Sequence, residues 1–138
     1  MGTPKSKQQW LQRATAETQA GSDFACILVV EDDKLVSDVL TEALEVRYRV
    51  VSVGSAAAAL DQLGAGGLDL VLLDCLIPGG GTDLVIERAG GRQVPVVLMS
   101  GDAERAAAAS AGRHKFILKP FTIDELLRTV EATLHAKL

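Results

Sequence analysis

Cysteine is scarce in this sequence: among 138 residues there are only Cys26 and Cys75. Neither belongs to a CxxC pair or stands at zinc-ligand spacing from a histidine, so nothing points to a disulfide framework or a structural zinc site. Each lies in or beside an apolar run, as a small buried hydrophobe does in a reducing cytoplasm, and a cytoplasmic protein is the expectation. Long apolar stretches are missing as well. None approaches the ~18 residues that span a bilayer, and residues 1–23 lack a secretory core, so no membrane association is expected. Positive charge is not in excess, with 14 Lys and Arg against 18 Asp and Glu and a net charge of −4. That balance gives no electrostatic footprint for direct nucleic-acid binding. The glycine stretch Gly79–Gly81 is not followed by Gly-Lys-Ser/Thr and is no P-loop. The opening "MGTPKS" formally fits an N-myristoylation pattern, a match short enough to arise by chance.

What the sequence does have is apolar residues, 48% of the chain, in a repeating order. Its length suits one domain with a real core. Residues 1–23 are polar apart from Trp10–Leu11 and read as a flexible N-terminal extension; the domain occupies 24–138. From Phe24 onward, apolar runs alternate with amphipathic stretches. The runs are Phe24–Val30, Tyr48–Val53, Leu68–Leu73, Val94–Met99 and Lys115–Leu118. Continuous β-branched and Leu-rich runs suit strands buried on both faces. Between them, Leu35, Val36, Val39, Leu40, Ala43 and Leu44 form one stripe at helical spacing, entered through Asp33 as cap. Residues 55–63 open on a Ser cap. Thr122 and Glu125 form a capping box ahead of Ile123, Leu126, Leu127, Val130 and Leu134. Residues 83–89 and 102–111 are shorter helix candidates. The order is (βα)5, which calls for an α/β, doubly wound parallel sheet with helices on both faces.

In such sheets ligands sit at the carboxyl ends of the strands, near the point where strand order reverses. The residues that follow the runs there are Glu31 and Asp32 (with Asp33 next), Asp74, Ser100 and Lys119. If the first and third strands are neighbours, Glu31, Asp32 and Asp74 converge. Cys26 then lies roughly 16 Å below Cys75 at strand rise, beyond disulfide reach. Two carboxylates about 4 Å apart repel by roughly 4 kcal/mol at an effective dielectric near 20. A hard divalent cation with oxygen ligands would relieve them, and Mg²⁺ suits one or two carboxylates plus waters and phosphate. Lys119 adds an ammonium and Ser100 a hydroxyl, which completes the groups needed to hold a phosphoryl group. Taken singly, each residue has an ordinary alternative: a helix cap, a loop Lys-Pro, a turn Ser. Those alternatives do not explain why all the polar groups fall at one edge of one sheet.

"ILVVEDD", "LDLVLLDCLIP", "VPVVLMSG" and "FILKPF" resemble, in the right order, the four motifs of response-regulator receiver domains of two-component signalling. The resemblance covers roughly residues 24–138. It implies the flavodoxin-like strand order 2-1-3-4-5. It implies that Asp74 is the phospho-acceptor. Glu31, Asp32, Asp74 and the backbone carbonyl of Leu76 would bind Mg²⁺. Lys119 would pair with the phosphoryl oxygens across a cis Lys119–Pro120 bond, Ser100 would swing to the phosphate, and Phe116 would be the aromatic switch. The donor would be a sensor histidine kinase or a histidine phosphotransfer protein. A downstream protein target would read the switched face, with a phosphorylation-dependent homodimer as one form of it. No external turnover substrate is expected, so the protein would not be an enzyme.

The chain departs from that pattern in places. Gly79-Gly80-Gly81-Thr82-Asp83 replaces the usual turn. The segments from Asp74 to Ser100 and from Ser100 to Lys119 each look about a helical turn short. Leu76 and Asp102 stand at positions that, in the family, tune the attacking water. No output domain is expected after the last helix of this sequence, which would make it a single-domain response regulator or the isolated receiver of a longer protein. Two rival readings are a degenerate receiver acting as a phosphorylation-independent interaction module and an aspartyl phosphatase. The first would be marked by loss of an acid, the acceptor or the Lys, none of which is lost; the shortened helices and the glycine loop keep that reading open. The second needs an Asp where Leu76 stands.

Overall fold

A computed structural model describes residues 24–110 and 114–137. The expected extension at 1–23 and the last residue of the 102–111 helix candidate lie outside the described residues. Among the described residues five strands and five helices alternate: β1 (Cys26–Val30), α1 (Lys34–Leu44), β2 (Arg49–Val53), α2 (Ala56–Ala65), β3 (Leu70–Asp74), α3 (Thr82–Gly91), β4 (Val96–Ser100), α4 (Ala103–Ser110), β5 (Lys115–Leu118) and α5 (Ile123–Lys137). The strands make one parallel sheet in the order β2-β1-β3-β4-β5. Strand order therefore reverses between β1 and β3, where the carboxyl ends lie level: Val30 pairs with Leu73, and Asp74 with Met99.

The continuous apolar runs are explained by burial on both faces. Every residue of β1, β3 and β4 is buried. Alternate side chains feed two cores. Leu28, Val30, Val71, Leu73 and Leu98 pack with Ala59, Leu63, Val85 and Ala89 of α2 and α3. Ile27, Val29, Leu70, Leu72 and Met99 pack on the other side with Leu40 and Leu44 of α1 and Leu126 and Val130 of α5. Each fully buried Leu or Val contributes about 1.5–3 kcal/mol relative to exposure.

The edges behave differently. In β5 only Ile117 is buried, whereas Phe116 is 40% and Leu118 42% exposed. Among the described residues this strand has a neighbour on one side only. The stripe of α1 is likewise wider than the arc the sheet covers: Leu40 and Leu44 are buried, while Leu35 and Val39 are 77% and 55% exposed.

Helix starts follow their caps. Asp33 Oδ1 accepts from the Leu35 and Val36 amides, and Ser55 Oγ from Ala58. In the predicted capping box, Glu125 N–H donates to Thr122 Oγ1 at 3.0 Å and Thr122 N–H to Glu125 Oε1 at 3.3 Å. α3 is the exception. Its N-cap Gly81 has φ 98° and makes no side-chain cap, and a Cβ there would lie 2.5 Å from the Ala56 Cβ of α2. Gly81→Ala is expected to cost about 3 kcal/mol, combining left-handed strain with overpacking. Urea unfolding checks this, and a loss under about 1 kcal/mol would show that α2 and α3 separate easily.

Candidate functional site

The strand register brings five of the predicted side chains to one edge of the sheet. Glu31 follows β1, Asp74 ends β3, and Ser100 ends β4; all three are buried. Asp32 comes next to Glu31 and is exposed. Oxygen atoms of Glu31, Asp32 and Asp74 lie within 4.8 Å of one another. Lys119 follows β5, on the amino side of the cis Lys119–Pro120 bond, and its Nζ donates to Glu31 Oε1 at 3.0 Å and Asp74 Oδ2 at 3.3 Å. The ammonium is thus aimed into the acidic pocket. Leu76 sits in the loop after β3, where its N–H donates to Asp74 Oδ1 at 3.0 Å and its side chain is exposed.

Burial governs the charges. It pushes the Glu31 carboxyl above its ordinary range; hydrogen bonds from Lys119 and the Asp33 amide oppose this, and the charge of Asp74 adds to it. For Lys119, burial works against the ammonium, but the Glu31 hydrogen bond and the nearby Asp74 outweigh it and hold the group above its usual value. Among the described residues one ammonium faces three carboxylates, so the pocket carries surplus negative charge whenever all three are ionised. Clustered hard oxygen donors with an unbalanced charge fit a divalent cation such as Mg²⁺.

Ser100 is placed beside this pocket, but its hydroxyl is engaged elsewhere. Oγ donates to the Asp102 carbonyl at 3.0 Å and accepts from the Asp102 N–H at 3.0 Å. Asp102 in turn caps α4, its Oδ1 accepting from the Glu104 and Arg105 amides. Cys75 and Cys26 are free thiols, as expected; burial is the main reason both are pushed up in pKa. One residue that sequence reasoning missed is Thr82, whose hydroxyl donates to the Cys75 carbonyl at 3.2 Å. A Thr at the first position of a helix gives no signal of that bond. Among the described residues, no helix is long and apolar enough to cross a membrane.

Comparison with known proteins agrees with this geometry. The family model of the response regulator receiver domain matches residues 27–131. The swarming motility regulation protein RssB of Serratia marcescens is 33% identical over 112 residues, covering 77% of this chain and 51% of that protein. The phosphate regulon transcriptional regulatory protein PhoB of Klebsiella pneumoniae is 31% identical over 117 residues, covering 79% and 51%. The chain spans about half the length of these relatives. Among solved structures, a CheY-like receiver domain protein from Methanospirillum hungatei JF-1 matches with a TM-score of 0.75 at 25% identity, covering 83% of this chain and 97% of that one.

Proposed function

The chain belongs to the response regulator receiver domain family of two-component systems, and from that premise we propose that Asp74 accepts a phosphoryl group from a phosphohistidine. The donor is a sensor histidine kinase or a histidine phosphotransfer protein. A carboxylate oxygen of Asp74 attacks phosphorus, the P–N bond breaks, and its electron pair leaves with the imidazole. The product is an acyl phosphate on Asp74. The observation that carries this reading is the convergence of Glu31, Asp32 and Asp74 on one pocket with Lys119 aimed into it.

Glu31, Asp32, Asp74 and the Leu76 carbonyl would hold Mg²⁺, which when bound supplies charge neutralisation for the incoming phosphoryl oxygens. Lys119 keeps an ammonium at the same place, ready to move from carboxylate to phosphoryl oxygen. Ser100 has a single hydroxyl proton. Donating it to a phosphoryl group means withdrawing it from the Asp102 carbonyl, so the switch competes with the turn that leads into α4. Phe116, on the adjacent strand, is half-exposed and free to exchange exposed for buried positions as that turn moves. The protein acts through a changed protein-binding face rather than through turnover of an external substrate.

Titration with Mg²⁺ and beryllofluoride, followed by amide NMR, tests the reading. Shifts are expected at Glu31, Asp74, Ser100 and Lys119 and in β5 and α4, all requiring Mg²⁺. A spectrum unchanged at saturating fluoride would sink it.

A further inference from the structure

The loop after the acceptor ends in a run of three glycines. Gly79, Gly80 and Gly81 all take positive φ, at 84°, 74° and 98°, and added Cβ atoms at Gly79 and Gly80 would touch nothing. Such a run gains little rigidity from its own backbone. Position 81 is closed to the Ser, Thr, Asp or Asn that commonly caps a helix, because any side chain there meets Ala56. The next hydroxyl along the chain, on half-buried Thr82, reaches back across the loop and donates to the Cys75 carbonyl at 3.2 Å.

That carbonyl and the Leu76 N–H belong to one planar peptide unit. The N–H donates to Asp74 Oδ1 at 3.0 Å. Asp74 Oδ2 faces Lys119 Nζ at 3.3 Å. The plane is therefore pinned at both ends. It cannot turn about its flanking bonds without breaking the Thr82 bond, and while that bond stands the N–H stays on Oδ1. Accepting a hydrogen bond at the carbonyl also polarises the amide and makes its N–H a better donor.

We propose that Thr82 is a positioning residue for Asp74: its hydroxyl, acting through the Cys75–Leu76 peptide, fixes the rotation of the acceptor carboxylate. Oδ1 is held by the backbone, and Oδ2 is presented to the Lys119 side of the pocket. The proposal rests on the reading of Asp74 as acceptor and adds to it a group that acts on the carboxylate only through the backbone. It also gives the packing of Gly81 on Ala56 a consequence at the site. By keeping position 81 free of a side chain, that contact lets Thr82 begin the helix with its hydroxyl free to serve the loop.

Two variants of the full chain decide the matter. Thr82→Val keeps the shape and removes the donor; Thr82→Ser keeps the donor. In Thr82→Val the Leu76 amide proton is expected to move upfield and to exchange about tenfold faster, and phosphoryl incorporation from acetyl phosphate with Mg²⁺ is expected to slow about fivefold. Thr82→Ser is expected to restore both. A general loosening of the fold would move the thermal midpoint and the amides of β1 and β4 together with Leu76, and that pattern overturns the proposal. So does an unshifted Leu76 amide in Thr82→Val, or a Thr82→Ser protein that behaves like it. If the wild-type protein incorporates no phosphoryl group at all, the acceptor reading fails by itself. The Leu76 amide still reports whether Thr82 orients the carboxylate.

Discussion

The Asp74→Asn protein is expected to incorporate no acid-stable, base-labile phosphate when offered acetyl phosphate and Mg²⁺, whereas the wild-type protein does. The substitution is nearly isosteric. Its amide oxygen can still accept from the Leu76 N–H that now reaches Oδ1 at 3.0 Å, so the β3 end is kept in place. What it loses is the nucleophile, since an amide does not form an acyl phosphate. Relief of carboxylate repulsion around Glu31 and Asp32 is partly offset where the new amide N–H₂ faces the Lys119 ammonium, two donors with no acceptor between them. Stability is therefore expected to change by less than about 1 kcal/mol. Intact-protein mass before and after alkaline hydroxylamine reads the phosphoryl group, and urea unfolding reads the fold. Labelling that persists in the variant would put the nucleophile elsewhere.

The sheet and the acidic pocket were legible in the sequence for one shared reason. In a parallel sheet buried on both faces, a strand shows as an unbroken apolar run, and the first polar residue after it marks the edge where sites form. Glu31, Asp74, Ser100 and Lys119 each close such a run. Register then does the rest, because Val30 paired with Leu73 sets Glu31 level with Asp74. The edge strand was legible only as a strand, since the run Lys115–Leu118 looks the same whether or not a helix covers it. Exposure of Phe116 and Leu118 is a tertiary fact. Leu35 and Val39 failed for a related reason: helical spacing marks an apolar stripe without saying how much of it a sheet will cover. Thr82 lay further from reach. Its role depends on Gly81 being pressed against Ala56 from another helix, which no local pattern encodes.

Lys119→Ala is expected to have the largest effect on the protein before any phosphoryl group arrives. The ammonium, one-third exposed, is the cation held against Glu31, whose side chain is almost wholly buried. Removing it leaves Glu31 Oε1 without its 3.0 Å donor and returns Asp74 Oδ2 to a pocket of like charges. Leaving a buried charged acceptor unpaired costs about 2 kcal/mol, a large part of the ~5–15 kcal/mol that holds a domain of this size. Burial, which already pushes the Glu31 carboxyl up, then acts with one opposing hydrogen bond fewer, and the group is driven toward its protonated form. Added Mg²⁺ should recover much of the lost stability, since an ion that binds only the folded pocket stabilises it by mass action. Its affinity should be kept or increased, because a like charge has left the site. The switch should not recover. Beryllofluoride with Mg²⁺ is expected to perturb Asp74 in this variant while leaving the amides of β5 and α4 where they were. Unfolding curves with and without Mg²⁺, beside the same NMR titration, separate the two effects. A full β5 and α4 response in Lys119→Ala would mean that the phosphoryl group reaches the signalling face without this lysine, and that its place in the pocket is structural alone.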